Sequence, residues 1–194
     1  MATLFVMIPG ADHYHAVRFY VDDTSLCRMV AAFIGDGLAA GQPAVVIATP
    51  SHGDEILEQL RALSIDGSHL QSTGELQLLD AEDTLSAFMR SGRPEPVAFK
   101  TAVGEVLRRA QAVRPGTTVR AYGEMVDWLW KHDATDAAIR LEVLWNALAR
   151  RHPFSLLCGY SMGHFYKQGA YERICGQHSH VVSASGQPTR VDVA

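Results

Sequence analysis

The chain is poor in three features that mark particular protein classes: cysteines, clustered basic residues and long apolar runs. Only three cysteines occur among 194 residues, which excludes a disulfide scaffold and favours a reducing compartment. Lys and Arg form no run and the net charge is −4, so we expect no direct contact with nucleic acid. No stretch approaches the roughly 20 apolar residues that span a bilayer, and we expect a cytoplasmic protein without membrane contact.

A working phosphate-binding loop is missing as well. The segment Ala48–Asp54 follows an apolar run, where such a loop would stand, but it has no lysine to reach phosphates. Phosphoryl transfer by the usual mechanism is therefore not expected.

Short apolar runs typical of buried strands alternate with helical patterns along the chain. Strands are predicted at His15–Val21, Ala44–Ala48, Glu75–Leu79, Thr117–Tyr122 and Phe154–Gly159. A last helix is predicted at Gly163–Cys175 and a short strand at His180–Ser183. This alternation predicts an α/β fold, a three-layer sandwich with a mostly parallel sheet.

The predicted loops are short, so one domain is expected over residues 1–194. Its core spans about residues 13–182, and the tail Ser185–Ala194 is expected to be frayed. The apolar start, Met1–Pro9, lacks the basic region of a signal peptide and is expected to form an ordered segment such as an edge strand.

The segment Gly159–Gly163 fits G-x-S-x-G after a predicted strand, which is the setting of a hydrolase nucleophile. Little sequence follows to supply the acid and the histidine of a triad, and no oxyanion loop precedes it. A tight turn is therefore the favoured interpretation, and we expect no enzymatic activity. A hydrolase that uses Ser161 stays an alternative.

A metal site is the second chemical candidate. Cys175, His178 and His180 lie close together and carry the sulfur and imidazole donors that zinc prefers. Their spacing is not a standard zinc motif, and a free cysteine is commonly a small buried apolar group. We expect no metal or other cofactor, with a metal-dependent enzyme using Cys175 and His178 as the alternative.

Carboxylates and aromatic residues mark a possible ligand site, because ligands of parallel sheets bind beyond the carboxyl ends of the strands. Glu124 follows a predicted strand, and Glu142, Trp145 and Asn146 share one helix face at spacing i, i+3, i+4. One interpretation is a helix packed on the sheet, with Glu142 paired to an arginine. The other is a pocket with an apolar wall and a few polar groups.

Several stretches between residues 13 and 182 follow the order found in one sensory family. They are His15-x4-Tyr20, Phe33–Leu38 with Ala40 and Gly41, Val45–Thr49, Leu78–Ala81, Arg120–Met125, Leu141–Asn146, Phe154–Tyr160 and Ile174–Ser179. On these residues the chain resembles the MEDS family, the methanogen/methylotroph sensory domain named for a dichloromethane-responsive regulator.

The resemblance implies a RecA-like sheet without a working phosphate loop. It also implies sensing of small, hydrocarbon-like organic ligands for signal transduction or transcription control. The family often has proline where Ser161 stands, which weakens the hydrolase interpretation. Members often carry an effector domain that this sequence lacks, so we expect signalling through a separate signalling protein or a homo-oligomer.

We therefore predict a stand-alone sensory domain that binds a small, mostly apolar organic ligand at the carboxyl ends of its strands. A ligand-free protein-interaction module on the same fold stays an alternative. The predicted ligand-binding residues are His15, Tyr20, Glu124, Glu142, Trp145, Asn146 and Tyr160.

Overall fold

A sheet of seven strands runs through the part of the chain that the computed structural model describes, residues 14–164 and 170–191. A separate two-stranded antiparallel pair is formed by β4 (Met89–Arg90) and β5 (Arg93–Pro94). The strands of the main sheet are β1 (His15–Tyr20), β2 (Ala44–Ala48), β3 (Leu76–Asp80), β6 (Val119–Gly123), β7 (Phe154–Ser161), β8 (His180–Val182) and β9 (Pro188–Arg190).

The strand order across the main sheet is β3-β2-β6-β7-β1-β8-β9. Every neighbouring pair is parallel except β8 with β9. Parallel strands covered on both faces are expected to be buried throughout, and β2 and β6 are buried at every position. Because β1, β2, β6 and β7 are parallel neighbours, their last residues meet at one edge. We call the ends at Tyr20, Ala48, Gly123 and Ser161 the carboxyl edge.

Helices cover both faces of the sheet. They are α1 (Asp23–Ala39), α2 (Pro50–Ala62), α3 (Gly67–Thr73), α4 (Ala81–Phe88), α5 (Pro96–Val113), α6 (Met125–Lys131), α7 (Thr135–Ala149) and α8 (Ala170–Cys175). Successive side chains of a strand point to opposite faces. Accordingly Leu157 packs in a core with α1 and α2, whereas Leu156 and Cys158 pack in a core with α4 to α7. Among these described helices, none is both long and apolar enough to cross a membrane.

The predicted α/β three-layer sandwich with a mostly parallel sheet is confirmed. The structure adds one helix that the sequence analysis does not predict, α3. Its N-cap residue is Asp66, whose carboxylate accepts a hydrogen bond from the backbone N–H of His69. The RecA-like character of the sheet stays a prediction, as does the assignment of all 194 residues to one domain.

The two ends of the chain differ from expectation. Residues 188–190 lie in the predicted frayed tail but form β9, because a turn closed by Ser183 and Gln187 brings them against β8. Within the predicted helix 163–175, a 3₁₀ turn covers Met162–His164 and α8 covers Ala170–Cys175. The intervening residues 165–169 and the predicted segment Met1–Pro9 lie outside the described residues.

Close packing against Arg120 explains why a glycine stands at position 37, within the stretch Phe33–Leu38. A Cβ atom at this α1 position would lie 2.1 Å from Cγ of Arg120. Arg120 is buried, donates to Gln42 at 2.7 Å and stacks over Phe33, so its side chain has little room to move. We expect Gly37→Ala to lower the free energy of unfolding by about 1–3 kcal/mol, because it overpacks this contact. Urea unfolding followed by circular dichroism measures it.

Gly104 in α5 provides the matched control. A Cβ atom there would meet Leu148 at 3.6 Å and His152 at 3.7 Å, which are ordinary contact distances. Because alanine favours the helix over glycine, Gly104→Ala is expected to leave stability unchanged or to raise it by up to about 1 kcal/mol. Equal losses in both variants would contradict the steric explanation.

Candidate functional site

Two buried carboxylates lie at the carboxyl edge. Glu124 follows β6 directly and precedes α6, and Asp127 lies in the first turn of that helix. Their residues are only 2% and 0% exposed. A buried carboxylate is costly unless donors surround it, so the partners of these two groups define what the edge can do.

Glu124 binds the loop that follows β2. Its carboxylate accepts hydrogen bonds from the backbone N–H of Thr49 at 2.9 Å and from the Thr49 hydroxyl at 3.2 Å. The imidazole Nδ1 of His52 lies 2.8 Å from the same carboxylate. This contact with the Glu124 carboxylate raises the pKa of His52, although burial opposes the change. Glu124 therefore links the end of β6 to the loop after β2 through Thr49 and His52.

Asp127 binds the ends of β1 and β7. It accepts a hydrogen bond from the Tyr20 hydroxyl at 2.5 Å and another from the backbone N–H of Ser161 at 2.7 Å. Lys131 lies 2.9 Å from Asp127 and donates to the Tyr20 oxygen at 2.8 Å. Burial, reinforced by the Asp127 charge, raises the pKa of Tyr20, which therefore remains a neutral donor.

The carboxyl edge also reaches solvent and carries apolar side chains. Lys131 keeps about one third of its side chain exposed, 32%. Val21 and Met162, the residues after β1 and β7, are 85% and 41% exposed. Since Tyr20 and Ser161 are paired in register, these two apolar side chains leave neighbouring strand ends. The carboxyl edge therefore combines accessible apolar side chains with the buried polar groups of Tyr20 and Asp127 at the same strand ends.

A second polar group lies between the sheet and α7. We call the side chains of His15, Glu142, Cys158, Tyr160 and His178 the Glu142 cluster. The Glu142 carboxylate lies 3.1 Å from Nε2 of His15 and 3.3 Å from Nε2 of His178. It accepts a hydrogen bond from the Tyr160 hydroxyl at 2.9 Å, and the Cys158 thiol lies 3.6 Å away. All five residues are buried.

Burial and charge shift the pKa values in this cluster. Burial by itself raises the pKa of Glu142, but the imidazoles of His178 and His15 outweigh it and hold that pKa below its usual range. Burial and the Glu142 charge both raise the pKa of Cys158 and of Tyr160. Burial, followed by the charge of His178, lowers the pKa of His15 despite its hydrogen bond to Glu142.

Asn146 and Trp145 lie next to the cluster on α7. The Asn146 amide oxygen lies 2.9 Å from Nδ1 of His15, while its amide nitrogen donates to the carbonyl of Gln177. Trp145 packs edge-on against Phe99 and Phe154 in the apolar core. Asn146 therefore positions His15, whereas Trp145 contributes apolar contact.

The predicted ligand-binding residues thus separate into two places. Tyr20 and Glu124 lie at the carboxyl edge, and the others lie at the Glu142 cluster or in the core beside it. The alternative in which an arginine pairs with Glu142 is wrong. The helix directs Glu142 toward β1 and the segment before β8, where its ion-pair partners are His15 and His178.

Asp127, Cys158 and His52 are among the residues of these networks that the predicted ligand-binding set lacks. Asp127 follows Glu124 by three positions, a spacing that places both in one helical turn. Cys158 alternates with Tyr160 along β7, so the two share a face of the sheet. His52 carried no comparable signal, since only the parallel pairing of β2 and β6 brings it to Glu124.

The other chemical candidates lie apart or stay untested. Only His178 of the three proposed metal ligands belongs to the Glu142 cluster. Cys175 is half-buried on α8, and His180 stacks on Tyr14 and lies 2.9 Å from the Ser179 hydroxyl. Ser161 ends β7, and its backbone N–H donates to Asp127. The expectation of no enzymatic activity stays a prediction.

Comparison with known protein families identifies one family. No curated protein matches the chain. The sequence model of one family, described as MEDS: MEthanogen/methylotroph, DcmR Sensory domain, matches residues 14–178. This match spans β1, both polar networks and all but the last two strands, β8 and β9. The chain therefore belongs to the MEDS family of sensory domains.

Proposed function

We propose that this chain is a cytoplasmic, non-enzymatic sensory domain whose carboxyl edge binds a small, mostly apolar organic ligand with one polar group. The signal then passes to a separate signalling protein or to a second copy of the chain. The observation that carries the proposal is the pairing of exposed Val21 and Met162 with the Asp127–Tyr20–Lys131 network at neighbouring strand ends.

The polar network supports recognition of one hydroxyl, amine or similar group. Lys131 is partly exposed, so a ligand atom can accept its hydrogen bond without removing a fully buried contact. Tyr20, Glu124 and His52 supply further donors and acceptors within the same edge. Few polar groups with an apolar surround are typical of small-molecule sites.

The same network suggests how binding could alter conformation. Lys131 on α6 contacts Tyr20 on β1, while Asp127 on α6 also holds Ser161 on β7. A ligand that takes over the Lys131 hydrogen bond weakens the link between α6 and β1. Signalling requires only that the ligand bind one of two conformers or oligomers more tightly than the other.

The test is a binding titration with defined probes: methanol, dichloromethane and n-butanol, each followed by amide chemical shifts of labelled protein. We expect saturable shifts confined to residues 20–25, 49–53, 124–131 and 161–162 for at least one probe. Lys131→Met is expected to weaken that binding roughly tenfold or more, because a hydrogen bond to a charged group is lost. Light scattering with and without the probe reports any change of oligomer.

Lys100→Met is the matched control, since Lys100 is an exposed lysine on α5. It is expected to bind the probe as the unaltered protein does. Shifts that are absent, or that move equally in both lysine variants, would contradict a ligand site at the carboxyl edge. Capture of a partner by the probe-free protein, unaffected by the probe, would favour the interaction-module alternative.

A further inference from the structure

Four potential metal ligands converge inside the Glu142 cluster. His15 begins β1, Glu142 lies on α7, Cys158 lies on β7 and His178 precedes β8. One donor atom from each lies within 4.8 Å of all the others, and all four residues are buried. Four separate segments of the chain therefore bring imidazole, carboxylate and thiol donors to one point.

The three separations among His15, one Glu142 oxygen and Cys158 are close to those around a small tetrahedral ion. Bonds of about 2.0–2.3 Å to nitrogen, oxygen and sulfur place neighbouring ligands roughly 3.3–3.7 Å apart. Here Nε2 of His15 lies 3.1 Å from Glu142 and 3.5 Å from the Cys158 sulfur. The Cys158 sulfur lies 3.6 Å from the same carboxylate oxygen, Oε2, and Nε2 of His178 lies 3.3 Å from the other oxygen, Oε1.

The opposite nitrogen of each imidazole is already committed as a donor. Nδ1 of His178 lies 2.7 Å from the carbonyl oxygen of Ile174, which can only accept. Nδ1 of His15 lies 2.9 Å from the amide oxygen of Asn146, whose nitrogen is fixed by its own bond to the Gln177 carbonyl. Both rings therefore carry a proton on Nδ1 and direct Nε2 at Glu142. A hydrogen bond from Nδ1 to an oxygen is the usual support of a metal-bound histidine.

Without a cation between them, these groups are poorly matched. A neutral imidazole protonated on Nδ1 presents a lone pair at Nε2 to the carboxylate. Nε2 of His178 makes no hydrogen bond of normal geometry to any described residue. A divalent ion with Glu142 and a Cys158 thiolate gives a neutral site.

We propose that His15, Glu142, Cys158 and His178 bind one divalent transition-metal ion, with zinc as the best match to two nitrogens, one oxygen and one sulfur. The site is closed by four protein ligands, which is typical of structural zinc. Tyr160 and Asn146 are positioning residues, which hold Glu142 and His15 through hydrogen bonds. The proposal replaces the expectation of no metal and of Cys175 and His180 as ligands, and it does not depend on a ligand at the carboxyl edge.

The first experiment is metal analysis of the full chain purified without a histidine tag and kept reduced with a phosphine. We expect one zinc ion per chain, retained through gel filtration. After removal by a chelator, cobalt(II) is added alone as a spectroscopic probe. Tetrahedral d–d bands and a thiolate-to-cobalt charge-transfer band are expected at one equivalent. Failure of the reduced protein to retain zinc and to bind cobalt at one equivalent would overturn the proposal.

Matched cysteine variants locate the sulfur ligand. Cys158→Ser should lose the charge-transfer band and weaken zinc binding by at least about tenfold, because thiolate is replaced by a weaker ligand. Cys27→Ser, on the opposite face of the sheet, and Cys175→Ser, on α8, should keep both. Loss of the band in Cys175→Ser but not in Cys158→Ser would overturn the assignment.

Two measurements on the unaltered protein test the site even if a cysteine variant fails to fold. X-ray absorption at the zinc edge should report one sulfur and three nitrogen or oxygen neighbours. Zinc at about 100 times its dissociation constant should raise the melting temperature by roughly 5–10 °C over the chelated protein. A sulfur-rich shell, or an unchanged melting temperature, would contradict the site. Neither result depends on whether the carboxyl edge binds an organic probe.

Discussion

Glu142→Ala is expected to lower the free energy of unfolding by about 3–5 kcal/mol, since it removes one partner from a buried charged network. The carboxylate is the common contact of His15, His178 and the Tyr160 hydroxyl. Its loss leaves the Tyr160 hydroxyl without its acceptor, removes the negative charge that faces both imidazoles and opens a cavity beside them. Because domains are stable by only about 5–15 kcal/mol, the melting temperature should fall by roughly 6–20 °C. Denaturant unfolding and calorimetry measure both.

Two variants separate the charge from the general effect of mutation. Glu142→Gln keeps the shape and an oxygen for the Tyr160 hydroxyl but loses the negative charge, so we expect an intermediate loss. Glu105→Ala removes a surface carboxylate paired with Arg108 and Arg109, and little change is expected. A loss below about 1 kcal/mol in Glu142→Ala would show that the cluster is not a structural link between α7 and the sheet.

The local part of this arrangement could be predicted from sequence. The spacing of Glu142, Trp145 and Asn146 predicts one helix face, and α7 directs all three into the protein. The apolar runs predict the buried parallel strands, and the break after β6 correctly places Glu124 at the carboxyl edge. Each of these inferences rests on residues within a few positions of one another, where helix and strand periodicity act directly.

The convergence of the cluster could not be predicted, because it depends on strand order. His15 meets His178 only because β8 pairs beside β1, with Ala16 opposite His180. Strand order also places β7 on the other side of β1, which brings Cys158 and Tyr160 to the same imidazole. The seven predicted ligand-binding residues therefore do not form one site, because the topology divides them between a sheet edge and a buried face.

Asp127→Ala is expected to lower the free energy of unfolding by about 2–4 kcal/mol, because it leaves two buried donors without their acceptor. The backbone N–H of Ser161 loses its acceptor at the end of β7, and the Tyr20 hydroxyl loses the stronger of its contacts at the end of β1. Lys131 is already partly exposed and can turn to solvent, where water hydrates its charge. Its lost contact with Asp127 therefore adds little to the fall in the free energy of unfolding. The measurement is urea unfolding at fixed ionic strength.

A double-mutant cycle with Tyr20→Phe tests whether Asp127 acts through that hydroxyl. Phenylalanine keeps the buried ring and removes only the O–H, so its effect isolates one hydrogen bond. We expect a coupling of about 0.5–3 kcal/mol between the two positions, as found for residues in direct contact. Additive losses would place the role of Asp127 in the Ser161 contact alone. Coupling would instead mean that α6 holds β1 and β7 together through the Asp127 carboxylate. A ligand that draws Lys131 away from Tyr20 and Asp127 would then weaken a link on which the stability of the carboxyl edge depends.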